Sequence, residues 1–515
     1  MNKKNYIFLL GSTLISMALA QAMEIKTEPS LQEIPSPPVH NLLIQTDGKT
    51  YSQVFKELEN SFNPNIKSVS FKNKHSYPLM EEDEFVQIAR FLRQTETTAL
   101  EFVNYDMTAE LAGKIIHELK GSKVHTLGFS GNRIGRNWID DDLHQTMLVP
   151  IEGWSNDEDR RRCVNQADAE LVKTAGQGLE YLFPILNELN IRSISLQKNQ
   201  LTDRDAMCLA QNFPHSNLTS VDLRKNVVEN EGAIAIAESL QNSPQLRTLL
   251  LGENKIGNDG VITLFKKLNE SSVCILDLEG YSYHEHLYDE ETIEAIAPLL
   301  KGNNLQILSL MSRNISDRSA KSLAQNFPGS QLTRINLRYN HIGDEGVLAI
   351  AASLTHCPHL TTLLLGGNQI GRLGLSAIFA HLKESNLRTL DLGNQESFNG
   401  EDIEEIAPTF KDTQLQILHM GGCPHLGDKG IMTLAKGFRE SPLSIVDLSG
   451  ANIKACARLF AEHLKGTNIH TVYFAPNVFN DNERALLKKA YPAITWFFDS
   501  SEGFLLLDEL MWQTH

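Results

Sequence analysis

Apolar residues follow two alternating rhythms along most of the chain. Five segments align without gaps: Ile191 to Leu201 (IRSISLQKNQL), Leu218 to Val228 (LTSVDLRKNVV), Leu246 to Ile256 (LRTLLLGENKI), Leu332 to Ile342 (LTRINLRYNHI) and Leu360 to Ile370 (LTTLLLGGNQI). Each reads LxxLxLxxNxL or close to it. In such a segment the fourth and sixth side chains leave a short strand on one side, and the residues between them leave on the other. One face is core and one is open. The Asn at the ninth position, seen as Asn132, Asn199, Asn226, Asn254, Asn340 and Asn368, suits a turn whose side-chain amide bonds neighbouring backbone. The second rhythm follows Gly232, Gly260, Gly346, Gly374 and Gly430. Apolar positions then fall at +1, +4, +5 and +8, as in Val347, Ile350, Ala351 and Leu354, which predicts an amphipathic helix.

The pattern recurs less strictly from Ile66, Thr97, Val124, Val273, Leu305, Leu387, Leu415, Leu443 and Ile469, making fourteen units. From Ile191 onward the spacing is 26 to 28 residues, with a single interval of 32. No unit buries its apolar face alone, so stability comes from stacking and the end units need caps. A longer period overlies the first: Leu209 to Asn226 returns 114 residues later as Leu323 to Asn340, which points to duplicated four-repeat blocks. Tyr281, Arg313, Gln395, Cys423 and Ala451 stand where Asn is expected, and irregular turns are predicted there.

A 27- or 28-residue unit of strand, Asn turn and full helix resembles the ribonuclease-inhibitor class of leucine-rich repeats, a class also found in Ran GTPase-activating proteins and intracellular immune receptors. The resemblance covers about Ile66 to Asn480. It implies an α/β solenoid, a horseshoe with an inner parallel β-sheet and outer helices, and says almost nothing about activity.

The ends read differently. Lys3 and Lys4 precede an apolar run from Tyr6 to Ala20 that closes on Ala18-Leu19-Ala20. Residues 1–22 therefore read as a secretory signal cut after Ala20 or Ala22, in preference to a short membrane anchor or a buried strand. Residues 23–48 carry Pro29, Pro35, Pro37 and Pro38 without helical or strand periodicity and read as an extended linker. Residues 49–65 are expected to form an N-terminal cap helix near Tyr51 to Asn60, 66–480 the repeats, and 481–515 a C-terminal cap. In that cap Trp496, Phe497 and Phe498 follow a helix-like run from Asn482 to Ala490; aromatics bury the most area per residue and suit an exposed solenoid end. Gly503 to Trp512 is apolar too, and reads either as a fold-back onto the cap or as an amphipathic docking helix.

Charge and chemistry narrow the function. Lys+Arg number 47 against 63 Asp+Glu, a net charge of -16, so nucleic acid is not an expected partner. Six Cys in 515 residues do not make a disulfide scaffold, and no zinc-type Cys/His spacing occurs; buried thiols are expected. The Cys-rich caps usual in extracellular leucine-rich-repeat proteins of animals are missing, which favours a bacterial exported protein over a receptor ectodomain. There is no HExxH, GxxxxGK[ST], GxSxG or strand-linked GxGxxG motif. His284-Glu285-His286 places two His on one loop, a weak metal signal without a third ligand. No enzyme activity, cofactor or metal site is expected, nor a membrane span in the mature chain.

Two candidate partner surfaces remain. Positions three, five and seven of each unit, with eight at the rim, are expected to line the open sheet face: Asp222, Arg224, Lys225, Asp277, Glu279, Arg334, Arg338, Tyr339, Asp391, His419 and Asp447. Arg224-Lys225 and Arg338-Tyr339 are equivalent between blocks, and Arg and Tyr are favoured in interface hot spots. Solvated polar residues on an exposed sheet are the plainer reading. The second surface is an insertion. Val124 and Ile191 lie 67 residues apart, so chain near 136–168 leaves the solenoid, carrying Trp138 and Trp154 into either partner contact or local packing. Function is read as an exported protein–protein interaction module directed at a host or envelope partner, with a GTPase regulator similar to Ran GTPase-activating proteins as the alternative.

Overall fold

In the computed structural model, the described residues are 41–498 apart from 47–48, 63–64, 74–80, 135–178, 180–181, 183–185, 187–189, 281–287, 452–456, 475–478 and 480. The signal, the Pro-containing residues, the insertion near 136–168 and the tail beyond 498 lie outside them. The chain divides into two compact units after Val273.

In the first unit the strands are β1 (Asn41–Gln45), β2 (Ser68–Lys72), β3 (Ala99–Val103), β4 (Thr126–Gly128), β5 (Ser193–Ser195), β6 (Ser220–Asp222) and β7 (Thr248–Leu250). Each pairs in parallel with the next along the chain. The second unit repeats this with β8 (Ile275–Asp277), β9 (Ile307–Ser309), β10 (Arg334–Asn336), β11 (Thr362–Leu364), β12 (Thr389–Asp391), β13 (Ile417–His419), β14 (Ile445–Asp447), β15 (Thr471–Tyr473) and β16 (Thr495–Phe497), again parallel and in register. Helices alternate with the strands. In the second unit, positions four and six of the strands, such as Ile335 and Leu337, share a core with the helix stripe Val347, Ile350, Ala351 and Leu354, all 2% exposed or less; Val221 and Leu223 are buried likewise in the first unit. Among the described residues no helix is long and apolar enough to cross a membrane.

The Asn of each unit stitches it to the one before. Asn340 Oδ1 accepts the amides of Arg313 (2.9 Å) and Ile315 (3.0 Å), while its Nδ2 donates to Leu310 O (3.0 Å) and Leu337 O (2.9 Å). Asn226 does the same in the first unit with Asn199, Leu201, Leu196 and Leu223. The helices carry a second ladder. Asp317, first residue of the helix Asp317–Asn326, accepts at Oδ1 from the amides of Gly343 (2.7 Å) and Gly346 (2.8 Å) that open the next helix. Asp344 repeats this with Gly371 and Gly374, and Asn230 with Gly257 and Gly260. An acid beside helix N-terminal amides satisfies donors with no intrahelical partner. It also explains the glycines, since a Cβ on Gly346 would sit 2.6 Å from Asp317 Oδ1.

Three expectations need correction. Residues 41–45, assigned to the 23–48 linker, form β1; Ile44 and Thr46 are buried between exposed Leu43 and Gln45, a period-two pattern masked by the prolines before it. The turns at Arg313, Gln395 and Cys423 keep the ladder instead of breaking it. Arg313 donates to Leu278 O and, at 3.1 Å, to Glu279 O; Gln395 donates to Leu365 O (3.2 Å) and accepts from Ile370 N (3.2 Å); Cys423 Sγ reaches Leu392 O. Any side chain that brings a donor to the previous strand's carbonyl fills the Asn role. Lastly, Thr495–Phe497 extends the sheet as a strand, with Tyr473 stacked on Phe497 at 4.6 Å and Phe474 on Trp496 at 6.2 Å.

Candidate functional site

The open sheet face is not the solvated surface expected of it. Asp222, Asp277, Arg334, Arg338, Asp391, His419 and Asp447 are all buried; Arg224, Lys225 and Glu279 are half-buried and Tyr339 is exposed. Neighbouring strands stand only about 4.8 Å apart, so polar side chains in one row pack on each other. The fifth-position acids also have a local task. Their carboxylates accept the backbone amide two residues on: Asp222 from Arg224 (3.1 Å), Asp277 from Glu279 (3.0 Å), Asp391 from Gly393 (2.8 Å), Asp447 from Ser449 (2.8 Å), with Asn336 serving Arg338 likewise (3.1 Å). This Asx turn ends each strand, which explains why Asp recurs there.

The block-equivalent arginines fold back onto the same position. Arg224 grips Asp222 through Nε (3.0 Å) and Nη2 (2.8 Å), and Arg338 donates through Nε to Asn336 Oδ1 at 3.2 Å. Burial lowers the pKa of the Arg334 guanidinium. In the first unit, burial raises the Glu101 carboxyl against the pull of Lys72 and the hydrogen bond from Ser70 Oγ (2.7 Å).

His419 lies between Asp391 of β12 and Asp447 of β14. Its Nδ1 is 2.6 Å from Asp447 Oδ2, and its Nε2 is 3.6 Å from Asp391 Oδ1. Burial alone would lower the imidazole pKa, but Asp447 and then Asp391 outweigh it and hold it above its usual value. Asp447 is held low in return: burial would raise it, and His419 overrides that.

The rim is the feature that the sequence hid. Every eighth position cited next lies in the left-handed region: Lys198, Lys225, Glu253, Ser312, Tyr339 and Asn394 have φ between 53° and 58°, and Gly131, Gly367, Gly422 and Gly450 between 69° and 74°. A side chain there costs roughly 1–2 kcal/mol that glycine does not. Tyr339 lies over Gly367, where a Cβ would come within 2.5 Å of its ring, and its hydroxyl accepts from Asn394 Nδ2 at 3.2 Å. Lys225 pairs with Glu253 at 3.0 Å. The glycines at this phase were the available signal, since they mark a backbone that prefers no side chain.

Trp138, Trp154 and the His284-Glu285-His286 loop lie outside the described residues. Among those described, no three His, Cys, Asp or Glu are placed to hold a metal ion. Cys208, Cys357 and Cys423 are buried free thiols and Cys274 is half-buried; burial pushes Cys357 up to about 11 and Cys423 to about 12, which makes them inert.

Parallel three-residue strands, an amide ladder and alternating helices define an α/β leucine-rich-repeat solenoid. The leucine-rich-repeat family pattern matches residues 215–237, 242–265, 331–351, 356–379 and 411–435, so these segments carry leucine-rich repeats. A human relative, NACHT, LRR and PYD domains-containing protein 14, is 26% identical over 178 residues, 34% of this chain; the chain spans 15% of that relative's length. A crystal structure of an internalin from Listeria monocytogenes is 19% identical and aligns with a TM-score of 0.32, over 59% of this chain and 84% of the internalin.

Proposed function

We propose that the chain is a non-enzymatic protein-interaction module of the ribonuclease-inhibitor class of repeats. It contacts its partner through the turn rim of the open sheet face of the second unit, at Tyr339; Lys225 is the equivalent position in the first. The class rests on the 27- and 28-residue spacing with a full helix per unit. One observation carries the site: Tyr339 holds φ 53° at a phase where glycine stands in several other units. Among the non-glycine residues at this phase cited above, Tyr339 is the exposed aromatic, and strain of this kind gathers at functional sites. Tyr also supplies a large, rigid contact area at interfaces.

The module acts after export, with residues 1–22 removed. Support is the Lys3-Lys4 start, the apolar run and the small residues at Ala18 to Ala20. Sequencing of exported protein should begin near Gln21 or Met23, and a mature chain that keeps Lys3 refutes it. The partner is a host or envelope protein; the GTPase-regulator alternative rests on likeness of fold alone. For the site, Tyr339→Gly relieves the strained turn and leaves melting little changed. A protein retained by the wild-type chain and lost from this variant supports the rim. Equal retention by both ends the proposal.

A further inference from the structure

His419 is a buried titratable group that the partner contact does not use. It stands in the middle of a row with Asp391 and Asp447 on the flanking strands, none of the three side chains more than 3% exposed. The residues around the row make room for it. A Cβ on Gly393 would fall 2.5 Å from the His419 ring, one on Gly366 2.7 Å from Asp391 Oδ2, and one on Gly421 2.9 Å from His419 Cε1. The other charge acting on the imidazole is Arg338, two residues beyond β10. Gly366, two residues beyond β11, lies beside Asp391, β15 sets Tyr473 beside Asp447, and the nearby Cys423 thiol, pushed up to about 12, stays protonated.

The sum of these charges depends on one proton. With an imidazolium, the two carboxylates have a cation between them. With a neutral imidazole they lose it, and an uncompensated buried charge is strongly destabilising. We propose that Asp391–His419–Asp447 is a protonation switch that clamps strands β12 to β14 together when His419 is charged and loosens them when it is not.

The direction of the pH dependence follows. The folded value of His419 lies above its usual 6.5, so its contribution is complete below that value and is lost as pH rises through the folded one. Asp447 is lowered from 3.8, so its contribution is present above that value and is lost as pH falls through the folded one. The clamp is therefore strongest between about pH 4 and about pH 6.5.

The test uses the full chain. Ring-labelled histidine NMR follows the titration of His419, assigned with His419→Gln, and thermal unfolding compares the two proteins at pH 5.5 and 8.5. The switch requires that His419 titrate above 6.5 and that wild type lead His419→Gln by a wider melting-temperature margin at pH 5.5 than at pH 8.5. A margin equal at both pH values, or a ring titrating at or below 6.5, overturns it. Should His419→Gln not fold, hydrogen exchange of wild-type β13 amides decides, with the opening equilibrium expected to rise by up to about tenfold per pH unit above the unfolded value. An opening equilibrium flat from pH 5.5 to 8.5 also overturns the switch.

Discussion

Replacing Asn340 by Ala removes five hydrogen bonds at one stroke. The amides of Arg313 and Ile315 lose their acceptor, and the carbonyls of Leu310, Leu337 and Arg338 lose a donor, all in buried surroundings. Each buried group left unpaired costs about 1–3 kcal/mol, more reliably for a donor than for a carbonyl with a second lone pair. Counting the two amides in full and allowing a water into the space left by the carboxamide, the loss comes to about 3 kcal/mol. Asn340→Asp keeps the acceptor and loses the donors beside three carbonyls, so it should be no better tolerated. Urea unfolding followed by circular dichroism gives the total. In a stacked array the local readout is sharper, because each unit leans on its neighbours. Hydrogen exchange should show the Arg313 and Ile315 amides losing protection first. A loss below 1 kcal/mol with those amides still protected would refute the ladder as a source of stability.

Other changes test the remaining elements. Gly346→Ala drives a methyl to within 2.6 Å of Asp317 Oδ1 and should destabilise by about 1–3 kcal/mol in thermal unfolding; an unchanged melting temperature would show that the helix-cap ladder yields freely. Arg313→Ala loses two carbonyl bonds and a cation–π contact 4.4 Å from the Tyr288 ring, and should cost about 3 kcal/mol or more. Arg318→Ala breaks only exposed pairs with Glu290 and Glu294 and should melt like wild type; equal effects would contradict the burial argument. Truncation after Asn480 strips Trp496 and Phe497 from Phe474 and Tyr473 and should cause aggregation, whereas truncation after Ser501 should not; a soluble, folded product of the shorter cut would remove β16 from the end of the sheet's stability.

The fold was legible because its signals are local and repeated. Asn at the ninth position, alternation at four and six, and glycine before each helix all name a backbone geometry that one unit reveals and the next repeats. What escaped was depth. Period-two alternation says which side of a strand Asp391 or His419 leaves, but burial on that side depends on the neighbouring strands and on glycines such as Gly393 in the next row. Asp222 and Asp447 looked like surface charges because the Asx turn that employs them is invisible without the amide two residues on. Arg313 looked like a broken turn because its guanidinium fills an amide's place only once β8 is beside it. Tyr339 was singled out as a partner contact for its chemistry; the strain that it shares with the other side chains of the rim lies in the backbone, where sequence is silent except through the glycines at the same phase.

The rim claim is tested most directly by a photo-crosslinker. Benzoylphenylalanine is placed at Tyr339 and, as a control, at Leu373, which is exposed on the helix Arg372–Leu382. The chain is then irradiated in its native setting. The account predicts one discrete protein adduct from position 339 and none from 373. Adducts from 373 alone, or the same set from both positions, would contradict it.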